Sequence, residues 1–164
     1  MREMITYAGQ SGKFNFRVAG VAFDRTGERV LIHRAITEPF WTLPGGRVEM
    51  REAAGAALVR EMLEELHVEV KIERLLWLVE NFFEYEGKPW HEIAFYFLMT
   101  FPPDCLLYDH SEPFSGDEEG IELIFQWQAI DTLEQRYLLP SFLGASLKSL
   151  PDGVEHLVHT DTLL

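Results

Sequence analysis

The chain has 164 residues, with 47% hydrophobic and 25% charged residues, which are the values of one globular domain with a sizeable core. A formal net charge of −13 disfavours stable binding to a nucleic-acid polymer. No apolar run approaches a membrane span or the core of a signal peptide, and a single cysteine, Cys105, fits a reducing, cytoplasmic setting.

Residues 1–13 carry little pattern beyond a short lead strand. Phe14 to Phe23 is apolar enough for a central strand. The turn residues Asp24-Arg25-Thr26-Gly27 lead into a second strand over Arg29–Arg34, so the two read as a hairpin. Arg34 ends that strand, where it is either an ordinary exposed charge or a phosphate contact, since guanidinium matches phosphate geometry. Residues 35–42 form a loop, and Trp41 is expected to pack in the core beneath the next turn.

Leu43-Pro44-Gly45-Gly46 reads as a tight turn whose glycines let the backbone come close to a ligand. A helix follows from about Glu52. Ala56, Val59, Leu63 and Leu66 recur at helical spacing and predict the buried face. Glu61, Glu64 and Glu65 then project together from the other side. Three like charges on one edge repel, and they read either as a solvated face or as ligands of a hard cation such as Mg²⁺.

Beyond the helix, the stretch from Val68 leads into a strand ending near Tyr85, a turn over Glu86–Pro89, and a partner strand over Trp90–Phe101. Phe82, Phe83, Tyr85 and Trp90 are open to three readings: stacking on a base, core packing, or a homodimer interface. Glu92 opens an apolar run and is a candidate to point into the site. Residues 102–120 read as a long acidic loop of the kind that is often functional. A last strand over Ile121–Ile130, a short helix near Asp131–Arg136 and a second helix over Leu138–Leu147 follow; the tail from Asp152 has no clear pattern.

The spacing Gly46, five residues, Glu52, seven residues, Arg60-Glu61-Met62-Leu63-Glu64-Glu65, one residue, His67-Val68 resembles the signature of the Nudix hydrolases. Eight of its nine specified positions match; His67 stands where the family has glycine. That position closes the helix in a left-handed conformation, which histidine tolerates better than most residues. The resemblance covers roughly residues 14–147 of a single domain spanning 1–164. It implies an α/β/α sandwich: a mixed central sheet between helices, with the signature forming loop, helix and loop.

The resemblance also implies hydrolysis of a pyrophosphate bond in a small nucleoside diphosphate derivative, using Mg²⁺ or Mn²⁺. Carried over by position, Glu61, Glu64 and Glu65 look like metal ligands, joined by the Gly45 carbonyl. Glu52 and Arg60 look like supports that orient them. The general base is a signature glutamate such as Glu64 or an acid from a later segment. Glu119 is the first candidate there, ahead of Glu118 and Glu122, with Glu92 a further alternative. A nucleotide sensor on the same fold, without catalysis, is the rival reading.

Overall fold

A computed structural model describes residues 1–162. Nine strands and two helices run in the order β1 (Thr6–Gly9), β2 (Gly12–Val21), β3 (Arg29–Ala35), β4 (Gly45–Arg47), α1 (Ala54–Leu66), β5 (Lys71–Tyr85), β6 (Lys88–Thr100), β7 (Phe114–Glu118), β8 (Ile121–Ala129), α2 (Leu143–Ser146) and β9 (Glu155–Thr160). Short 3-10 turns over Leu106–Asp109 and Ile130–Gln135 flank β7 and β8.

The main sheet runs β1-β2-β6-β5-β9, with β4 also paired to β2. It is mixed: β2 is parallel to β6 and β5 to β9, while the other pairs are antiparallel. A smaller antiparallel sheet runs β3-β8-β7. Strand alternation sends successive side chains to opposite faces. Phe16, Val18, Phe95, Phe97 and Met99 therefore meet Ala57, Leu58, Met62 and Leu66 of α1 on one face. Ala19, Val21, Ala94 and Tyr96 meet Leu133, Leu143 and Leu147 on the other. This is the expected layering, with a thin second helical layer. Among the described residues no helix is long and apolar enough to cross a membrane.

The β5–β6 hairpin forms as the sequence predicts, closed by a turn at Glu86-Gly87, both with positive φ. Other elements differ. The β2–β3 hairpin does not form as a ladder, because β6 takes one edge of β2 while β1 and β4 take the other; β3 pairs with β8 instead. Gly45 and Gly46 lie in β4 without positive φ, rather than in a tight turn. Part of the acidic loop is ordered as β7, a hairpin with β8. The second helix shrinks to Leu143–Ser146, after Pro140, and the tail supplies β9 along the edge of β5.

The largest difference is the rotation of α1. Its buried residues are Ala57, Leu58, Glu61, Met62, Glu65 and Leu66, while Leu63 is 50% exposed and Ala56 is also exposed. Glu61 and Glu65 thus lie beside the apolar face, not opposite it. Excluding the acids from the buried side misassigned the helix face. Met62→Ala should cost about 2–5 kcal/mol through the cavity it leaves. Leu63→Ala should change stability by less than about 0.5 kcal/mol. Denaturant unfolding of the two variants compares them; equal losses would contradict the observed rotation.

Candidate active site

The site forms where β4 meets α1. A Cβ on Gly46 would lie 2.3 Å from the Glu61 carboxyl carbon, and one on Gly45 would lie 2.0 Å from the Val18 carbonyl oxygen. These positions need glycine for space, and the absent side chain at 46 lets Glu61 press against the strand.

Arg60 ties the junction together. Its Nε donates to Glu52 Oε1 at 2.7 Å and its Nη2 to Glu52 Oε2 at 3.0 Å. Its Nη1 donates to Glu61 Oε1 at 2.7 Å, and Nη2 also reaches the Arg47 carbonyl at 3.1 Å. Glu52 accepts the Glu49 backbone N–H at 2.9 Å as well. The Arg60 hydrogen bonds hold the Glu52 carboxyl below its ordinary range.

The three glutamates have different surroundings. Glu61 is 6% exposed; burial raises its carboxyl, and Arg60 opposes that. Glu64 faces solvent more and pairs with Arg2 and, at 3.5 Å, with Arg60. Glu65 is 3% exposed, and its buried Oε2 has no hydrogen-bond partner. Burial first, then the charge of Glu61, pushes Glu65 up to about 8. His33 Nδ1 lies 3.6 Å from that oxygen, beyond a hydrogen bond, and is itself unpartnered. Burial, then Arg17, pushes His33 down to about 3.

These acids line a cleft of about 710 Å³ together with Gly45, Gly46, Arg34, Glu118 and Glu119. Arg34 is partly occupied: Nη1 donates to the Ile36 and Glu38 carbonyls at 3.1 and 2.9 Å, and its guanidinium stacks 5.2 Å from the Trp41 ring. Trp41 is buried in the core as expected. Glu119 sits in the β7–β8 turn beside Gly120, whose φ is +75°. Glu118 ends β7, and its carboxyl is raised by partial withdrawal from water and by the charge of Glu65. Glu122 is exposed and does not line the cleft, and Glu92 lines an adjoining cavity instead.

Sequence reasoning missed Arg17, Arg47 and His33, which also line the cleft. The available signal was a lone arginine midway along the strand read as central. His67 adopts the left-handed conformation, with φ 57°, and donates its backbone N–H to the Leu63 carbonyl at 3.1 Å. Its Nε2 lies 2.9 Å from Asp117 Oδ2.

A helix edge of clustered acids is thus folded against a glycine strand beside a mixed sheet in an α/β domain. Residues 13–148 match the NUDIX domain, and the chain belongs to that family. It is 37% identical over 70 residues to diphosphoinositol polyphosphate phosphohydrolase 2 of Mus musculus, a match spanning 42% of this chain but only 39% of that protein. A UDP-X diphosphatase superposes with a TM-score of 0.60 at 20% identity, over 87% of this chain and 66% of that one. An ADP-ribose pyrophosphatase from Streptococcus suis superposes at 0.58 with 14% identity, over 88% and 98%. At these identities the two structures establish likeness of fold.

NUDIX hydrolases generally use divalent metal ions. The donor set here suits a hard cation: carboxylate oxygens, one of them buried and unpaired on Glu65. Among the described residues no three acidic, histidine or cysteine side chains already enclose an ion position.

Two outcomes follow, the first for the metal-free protein. Glu65 is raised in the folded state, so the fold binds its proton more tightly than the unfolded chain does. Stability in chelator should therefore fall as pH rises from about 4.5 toward about 8. Glu65→Gln should flatten that slope, which melting curves across the window measure. His67→Gly should leave turnover unchanged and raise stability by up to about 1 kcal/mol, since glycine relieves the left-handed residue and the exposed Asp117 pair contributes little. A loss of turnover would give His67 a role in the reaction.

Proposed function

We propose that this chain is a divalent-cation-dependent pyrophosphohydrolase acting on a small nucleoside diphosphate derivative. The observation that carries the reading is the unpaired, buried Glu65 carboxyl beside Glu61 and Glu64, in a cleft that also holds Arg17, Arg34 and Arg47. Carboxylates gathered against their own repulsion, with cationic side chains across from them, suit phosphate oxygens bridged through a cation.

Glu61, Glu64, Glu65 and the Gly45 carbonyl would hold Mg²⁺ or Mn²⁺, which when bound neutralises the phosphates and acidifies a water molecule. Glu52 fixes Arg60, and Arg60 fixes Glu61. Arg34, Arg17 and Arg47 face the phosphates and offset their charge in an otherwise acidic protein. In the reaction the water oxygen bonds to one phosphorus while the bridging P–O bond breaks, and the bridging oxygen leaves with the second phosphate. A carboxylate takes the water's proton. Three acids of the β7–β8 hairpin line the cleft: Asp117, which pairs with His67, Glu119, and Glu118, whose carboxyl is raised by burial and then by Glu65. We assign Glu118 the proton ahead of Glu119.

The names of the relatives set the substrate panel: ADP-ribose, UDP-linked compounds and a diphosphoinositol polyphosphate. Each is incubated with Mg²⁺ or Mn²⁺ and the released products are identified. Cleavage of a nucleoside diphosphate derivative is expected, with none in chelator; tight binding without products would favour a sensor. Glu61→Gln and Glu65→Gln should each lower kcat at least about a hundredfold, roughly 2.7 kcal/mol of barrier. Near wild-type turnover in both would remove the metal-ligand assignment. Glu118→Gln should lower kcat more than Glu119→Gln does, with KM little changed in each; the reverse order would return the base to Glu119.

A further inference from the structure

Beside the acidic cleft lies a second cavity of about 210 Å³. The two share Arg17, Phe40, Thr42, Arg47 and Tyr85, so they adjoin along these residues. The cavity is smaller than the ~300–1,000 Å³ of a whole small-molecule site. It suits one ring of a ligand whose remainder lies next door.

Its floor is a polar row set by strand register. Asn15 of β2 is opposite Glu92 of β6, and Glu92 is opposite Asn81 of β5. All three are buried, with exposures of 4%, 7% and 3%. Asn15 Nδ2 donates to Glu92 Oε2 at 2.9 Å, and the Asn81 side chain supports the same carboxylate. The Asn15 amide nitrogen is thereby turned toward Glu92. The two carboxamide oxygens are left buried without a partner. Most buried side-chain polar atoms find a partner, so two orphaned oxygens side by side on one cavity floor are unusual.

The walls are aromatic. Phe83 and Trp90 lie parallel, with centroids 5.9 Å apart and planes 9° apart. Tyr85 meets the edge of Trp90, and Phe40 meets Tyr85. Phe82, which the sequence grouped with them, does not line the cavity and stacks on His91. Aromatic walls that carry one buried, unpartnered donor, Trp90 Nε1, over a floor with two unpartnered acceptors call for a planar ring that brings hydrogen-bond donors to the floor and an acceptor to the wall.

We propose that this cavity is a ring-binding subsite selective for a heterocycle with an exocyclic amino group, read by the carboxamide oxygens of Asn15 and Asn81. An amino group brings two N–H donors to two acceptors. A ring carbonyl in its place sets acceptor against acceptor and leaves both asparagines unpaired. Adenine, guanine and cytosine are therefore accepted over uracil and hypoxanthine. The inference rests on the reading that the ligand's phosphates occupy the adjoining cleft, and it narrows that ligand to amino-bearing nucleotides.

Calorimetric titration of the wild-type protein with nucleoside 5′-monophosphates in Mg²⁺ tests it. CMP should bind at least about tenfold tighter than UMP, and AMP or GMP at least about tenfold tighter than IMP. In Asn81→Leu these ratios should fall toward one while UMP affinity holds. If that variant does not fold, the wild-type ratios alone decide. Ratios near one in the wild type, or no binding by any of the nucleotides, would overturn the proposal. Preference without hydrolysis of any diphosphate upholds this subsite and removes the hydrolase reading. Hydrolysis without preference does the opposite.

Discussion

The structure depends on one guanidinium. Arg60 is the cation around which Glu52, Glu61 and, at longer range, Glu64 and Glu49 are arranged. Its fork meets Glu52 through two nitrogens and still reaches the Arg47 carbonyl on β4. A lysine could not make that set of contacts, because it lacks the planar fork. Without this cation Glu61 would be a buried charge with no partner, which costs far more than the pair contributes. With it, α1 can turn two glutamates inward beside Leu58 and Met62. The orientation of the helix and the acidity of the cleft have the same cause.

That orientation also explains why Glu65 stands alone. Arg60 reaches Glu52 and Glu61, and Arg2 takes Glu64. Among the described residues no cation pairs with Glu65: Arg17 acts on it through its charge alone, and His33, 3.6 Å away, is held uncharged by burial. A site that satisfied every carboxylate internally would have no use for a ligand. One that leaves a single buried oxygen unpaired keeps a fixed demand at a fixed place. The row of Asn15, Glu92 and Asn81 repeats this pattern on β2, β6 and β5.

What could be read from the sequence follows from how local each constraint is. The β5–β6 hairpin and the existence of α1 rest on periodicity and turn residues, and both were legible. The Gly46-to-Val68 spacing was legible because its parts lie within one loop and one helix. The helix face was not, since it depends on Arg60 meeting Glu52 eight residues earlier and so allowing acids on the buried side. Nor was the partner of β3, which is decided by which edges of β2 are already occupied. Arg17 was visible as a charge in an apolar strand, but its position between two cavities comes from the sheet. The asparagine row is invisible in sequence, because its members are 66 and 77 residues from Asn15 and meet only through register.

The charge balance gains a different meaning in three dimensions. A net charge of −13 repels polyanions at a distance, yet Arg17, Arg34 and Arg47 are gathered at the cleft. Long-range repulsion is screened beyond about 8–10 Å in physiological salt, while contacts inside a partly buried cleft are screened much less. A small phosphorylated ligand can therefore reach these arginines with little opposition from the distant surface. A long polyanion would have to lie along that surface for much of its length and would feel the full repulsion. On the proposed reading it is the distribution of this charge, not its total, that favours small anions over polymeric ones.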